Sequence, residues 1–167
     1  NSSSGLSRWQ VWNTLDSSKA ALFEHVFGTQ AAEEKFGVKT GKGLTESKGM
    51  VNILREIELP EWGLSEDLID SPETPDWITD SGKFIEVRDK EIENYEKIVE
   101  YSLRMTDNRQ DAKLDTIRDS IETGGKPLGF DSSIITLSLM KELLEKEGFE
   151  VYLFTGTDGK TKKMKVK

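Results

Sequence analysis

The sequence predicts an α/β (α+β) domain, a small mixed sheet with a hairpin surrounded by helices. Three observations predict it. Amphipathic runs at helical spacing lie on both sides of the chain's middle, "WITDSGKFIEV" (77–87) sets two β-rich runs around a tight turn, and "FEVYLFTG" (149–156) reads as a buried strand. A length of 167 residues suits a single domain, 1–167, with a sizeable core. Asn1 in place of Met marks an excised domain, or tag residues in "NSSSG".

In chain order, residues 6–15 are helical through Leu6, Trp9, Trp12 and Leu15. A second helix spans "DSSKAALFEHVFGTQAAEEKFG", capped by Asp16 or Ser17, buried through Leu22, Phe23 and Val26, and stopped by Gly37. "GVKTGKG" is a loop, after which Thr45 caps a third helix carrying Met50, Val51, Leu54 and Ile57 and ended by Pro60. An irregular connection leads to the hairpin. The next helix, "DKEIENYEKIVEYSLRM", buries Ile92, Tyr95, Val99 and Leu103 and turns Lys90, Asn94, Lys97, Tyr101 and Arg104 outward. Further helices follow near 110–122 and over 131–148, and "TDGK" turns the 149–156 strand into a short final one.

Composition narrows the function. Hydrophobic residues (35%) barely outnumber charged ones (32%), which describes a soluble, highly charged globule with no run of membrane-spanning length and no signal-peptide pattern. Zero cysteines exclude disulfides and thiolate metal sites. A net charge of −8 argues against gripping nucleic acid through an all-round basic surface, but leaves room for an enzyme that meets phosphates through bound cations. The basic tail "GKTKKMKVK" reads as a Lys-protected edge strand.

Glu86 is the odd residue, an acid among Phe84, Ile85 and Val87. A two-residue hairpin loop would set Asp76 opposite Val87; a three-residue loop Asp80-Ser81-Gly82 sets Asp76 directly across from Glu86. Facing carboxylates repel unless one is protonated or a hard divalent cation binds both. The plain alternative is that "PD" is a turn dipeptide and Glu86 faces solvent beside Arg88. Lys97 on the following helix could reach the acids; His25, the chain's single histidine, flanks an apolar helix face; Glu46 follows the Thr45 cap. Each also has an ordinary explanation: a solvated lysine, a packed histidine, an acid favoured in a helix's first turn.

Taken in order, "FEHVFG" with His25, an acid at 46, "TPD" ending at Asp76, "FIEV" with Glu86, and "NYEKIVEYS" with Lys97 resemble the cap-snatching endonuclease domain at the N-terminus of segmented negative-strand RNA virus polymerases, closest to the bunyaviral type. That family belongs to the PD-(D/E)XK nuclease superfamily, so the resemblance implies such a core around the sheet. It covers residues 25–104. Trp77-Ile78 replaces the family's usual Asn-Tyr, Arg88 stands where Lys or Thr is common, and Glu56 and Glu58 rival Glu46 as the second carboxylate.

The resemblance implies two-metal hydrolysis of RNA phosphodiester bonds. His25, Asp76, Glu86 and the Val87 carbonyl would hold one cation, with Asp76 shared and Glu46 on the second; Lys97 would act at the phosphate. The ions would be Mn²⁺, with Mg²⁺ the alternative, since imidazole is a softer donor than carboxylate. The substrate would be capped host mRNA in the host cytoplasm (the nucleus for an orthomyxovirus-like relative), cut to prime viral transcription. The partner would be the remainder of the polymerase, with no membrane and a monomeric isolated domain. Two other readings stand beside it: a non-viral nuclease of the same superfamily acting on DNA or RNA, and a non-catalytic interaction domain with surface acids.

Overall fold

A computed structural model describes residues 2–41, 46–58, 75, 77 and 80–154. Seven helices make up the described architecture: α1 (Ser2–Ser17), α2 (Lys19–Phe27), α3 (Thr29–Phe36), α4 (Met50–Glu56), α5 (Ser81–Arg104), α6 (Asn108–Glu122) and α7 (Ile134–Lys146). No strand occurs among the described residues, so the predicted mixed sheet and its PD-(D/E)XK core are overturned: the chain is a helical protein.

The correction centres on residues 80–89. "DSG" is not a hairpin turn but a helix start: Asp80 is the N-cap of α5, its Oδ1 accepting from the amides of Gly82 (2.8 Å) and Lys83 (3.0 Å). An aspartate before a glycine suits a turn and an N-cap equally, since both use the side chain to satisfy free backbone amides. From there α5 runs for 24 residues without interruption. "KFIEV" is therefore helical, and Asp76, outside the described residues, has no strand at 86 to pair with. The expected strand at 149–156 is likewise irregular over its described residues, 149–154, though their exposure still alternates: Phe149, Val151 and Leu153 are half-buried, Glu150, Tyr152 and Phe154 exposed.

α2 is the hub. It packs against α1, α3, α4, α5 and α7, and Ala20, Ala21, Leu22 and Val26 are buried along it. On one side Leu22 and Val26 meet Val51 of α4 and Ile92, Tyr95 and Val99 of α5. On the other, Ala20 and Ala21 meet Ala32, Val38 and Ile135 of α7. Alanines make α2's contribution to that second cluster, and the bulkier Leu22 and Val26 make it to the first. The α2 cap is Ser18, whose hydroxyl accepts from the Ala21 amide (3.0 Å), rather than Asp16 or Ser17. Ser17 is instead drawn into a polar network, bonding Asp131 (2.5 Å) and Thr136 (2.7 Å), with Thr136 also bonded to Ser18. Lys113 of α6 completes it by donating to the Ser17 carbonyl (2.7 Å).

The predicted second helix is two. It breaks at Gly28, whose φ of 95° lies where side chains are strained, and α3 then runs to the Gly37 stop (φ 66°) as expected. The segment 46–49 lies across that corner. Thr29 N donates to the Ser47 carbonyl (3.0 Å) and Ser47 N to the Thr29 hydroxyl (2.9 Å). α4 accordingly starts at Gly49, not at Thr45, which is outside the described residues.

Candidate functional site

His25 lies in the last turn of α2, on the side that faces α5. Its ring meets Tyr95 edge-on, with centroids 6.2 Å apart. The sequence places Tyr95 on the α5 stripe with Ile92 and Val99, and that stripe is the one packed on α2. Nε2 of His25 is buried and has no hydrogen-bond partner among the described residues. Burial disfavours the imidazolium and holds the His25 pKa below its ordinary value, despite the favourable helix C-terminus. A neutral imidazole with one uncommitted nitrogen has the donor chemistry of a metal ligand. Tyr95, 5% exposed, has its phenol pushed up, mainly by burial and then by Glu91.

This gives stability a defined pH dependence. Because folding lowers the His25 pKa, the unfolded chain takes up the proton first as pH falls. The contribution is complete above about 6.5, the ordinary histidine value, and is lost as pH drops through the lower folded value. His25→Phe keeps a ring against Tyr95 and is expected to flatten the stability profile between about pH 6.5 and the carboxylate range. Urea unfolding of both proteins at several pH values checks it; parallel profiles would refute it.

The carboxylates lie elsewhere. Glu46 is exposed in the irregular segment before α4, and it borders a cleft of about 430 Å³ shared with Glu34, Lys48, Asn52 and Glu56. Two of the three rivals for the second ligand, Glu46 and Glu56, thus line one cavity; Lys48 already pairs with Glu56 at 2.8 Å. Glu58 follows α4 and is exposed. Glu34 and Asn52 gave no sequence signal, because the cleft arises from the crossing of segment 46–49 over the α2–α3 corner.

Glu86 is exposed on α5. It stands nine residues from Tyr95 on the same helix, about 13.5 Å along the axis at the usual rise. Lys97 is eleven residues from Glu86, about 16 Å along α5, further than the two side chains bridge. Lys97 pairs with Glu93 one turn back, and that hydrogen bond holds the ammonium charged. The Val87 carbonyl belongs to the interior of a helix, where it accepts from the amide four residues on. Arg88 pairs with Asp89 at 3.0 Å.

Among the described residues no three His, Asp or Glu side chains are grouped to hold a metal ion. His25 has suitable chemistry, but the described carboxylates do not gather around it, and Asp76 lies outside the described residues. No family model matches the chain, and neither does any curated protein or solved structure.

Proposed function

We propose that the chain is a divalent-cation-dependent endonuclease that cleaves RNA, of the cap-snatching kind that supplies primers from capped host mRNA to a viral polymerase. The reading does not rest on a sheet-based core. It rests on the order of His25, an acid at 46, Pro75-Asp76, Glu86 and Lys97 along the chain. The observation that carries it is the half-buried, neutral His25 with its Nε2 uncommitted. A buried polar atom without a partner is costly in a packed core, and a ligand that engages it removes the cost.

A second reading, a non-catalytic helical interaction domain, is favoured by the exposure of Glu46 and Glu86 and by the pairing of Lys97 with Glu93. Thermal denaturation with and without millimolar Mn²⁺ separates the two. A cation bound only by the folded chain stabilises by mass action, about 2.7 kcal/mol at a hundredfold excess over Kd. The nuclease reading expects a rise in Tm that Asp76→Ala and His25→Ala both abolish. It also expects Mn²⁺-dependent cleavage of a capped RNA that each variant slows by about a hundredfold or more. No shift and no cleavage would leave the interaction domain. Cleavage of DNA as fast as RNA, untouched by His25→Ala, would point to the non-viral nuclease.

A further inference from the structure

α6 is thinly embedded. Of its 15 residues only Leu114 is buried, and no residue of α6 belongs to either core cluster. Ile117 and Ile121, one and two turns on from Leu114, are half-buried. Apolar burial this small offsets little of the entropy lost in ordering such a segment.

What joins α6 to the rest is charge. Three of its cations each reach an acid outside the helix. Arg109 pairs with Asp16 of α1. Lys113 lies 3.7 Å from Asp131, in the loop before α7, and donates to the Ser17 carbonyl at 2.7 Å. Arg118 grips Glu147, just past α7, through two nitrogens, with Nε at 2.8 Å, and also pairs with Asp115 of its own helix. The two ends differ. At the start, Lys19 pairs with Asp107 (2.8 Å) and donates to the Met105 carbonyl, which pins that end to α2. At the far end Gly124 has φ 83°, and every residue from 122 to 130 is exposed.

We propose that α6 is a charge-latched strap that detaches and unwinds as a unit from its Arg118 end while α2 and α5 stay folded, with ionic strength setting how often. Opening uncovers the seat of Leu114 and releases Asp131 and the Ser17 carbonyl from Lys113. It also unroofs a cavity of about 120 Å³ that Arg109 and Gln110 line together with Trp12, Leu15 and Met105. Exposed ion pairs are individually weak and are screened by salt, which suits a latch rather than a permanent joint. Elements with few buried apolar contacts are the ones that open locally, below the free energy of global unfolding. The strap is independent of the nuclease reading.

Hydrogen exchange of the full chain, read by mass spectrometry, tests it. A detached α6 cannot stay helical, since a helix of that length is marginal alone in water, so its amides report each opening. They are expected to exchange faster than those of α2 and α5, at a common rate along the helix interior. Raising NaCl to about 1 M, where the screening length is about 3 Å, should speed them further. Asp16→Asn with Glu147→Gln removes two latches and leaves the sequence of α6 intact. Exchange in α6 should then rise roughly tenfold, at about threefold for each exposed pair, with α2 unchanged. The strap is overturned if α6 exchanges as slowly as α2, if its rates are graded from the helix ends as in simple fraying, or if α2 accelerates equally in the paired variant. It also fails if Leu114→Ala speeds exchange in α6 while neither salt nor the paired substitution does, because the apolar seat alone would then hold the helix.

Discussion

Gly49→Ala is expected to cost roughly 3 kcal/mol or more of stability, a large fraction of the roughly 5–15 kcal/mol that holds a native domain folded. Gly49 has φ 82° and sits where segment 46–49 meets the α2–α3 corner. A Cβ there would run into the Gly28 amide nitrogen and the Phe27 carbonyl carbon and come within 2.7 Å of the Val26 carbonyl oxygen. All three belong to backbone, which cannot swing aside as a side chain does. Gly28 is the reciprocal case, with φ 95° and a Cβ 2.7 Å from the carbonyl oxygens of both Ser47 and Lys48. Gly37 separates the two causes: its φ is 66°, but nothing lies within 4 Å of an added Cβ. Gly37→Ala should therefore cost only the left-handed strain, about 1 kcal/mol. Chemical denaturation of the three variants checks the order; equal losses at 37 and 49 would mean that the close crossing does not constrain the fold.

Lys90→Pro is the sharpest test of the helix that replaced the hairpin. Had a strand ended near 88, position 90 would fall in the first turn of a new helix, where proline is tolerated because the amide is unpaired. In the observed α5 it is the tenth residue, exposed, with its amide bonded within the helix. Proline there removes that bond and clashes with the carbonyl four residues back, for about 3 kcal/mol. The alternative open to the chain is to detach residues 81–89, which would show as a loss of helical circular dichroism. A variant that keeps both stability and helical signal would restore the predicted hairpin.

Much of the helical architecture was legible. The α2 face of Leu22 and Val26, the α5 stripe of Ile92, Tyr95 and Val99, and the Gly37 stop all follow from 3.6-residue periodicity and from glycine's access to positive φ. The division at Gly28 was not, because a lone glycine inside a periodic run is tolerated in many helices. What makes this one a corner is the backbone of residues 47–48 resting against it. The candidate site was legible as a list and not as a place. His25 against Tyr95 follows from the two apolar faces meeting, but Glu86 and Lys97 were related through a strand that does not form.

The physical reason is where each element finds its hydrogen bonds. A helix satisfies its amides within a few residues of sequence, so residue pattern alone determined which faces of α2 and α5 meet in the core. A strand's bonds come from another strand, and "KFIEV" or "FEVYLF" carries strand-like residues without naming a partner. Tertiary structure decided both. Residues 81–87 extend a helix already anchored on α2 and α4, which satisfies their backbone without a partner. Residues 149–154 keep the alternation of a strand in their burial, one side against the protein and one side out, with no strand beside them among the described residues.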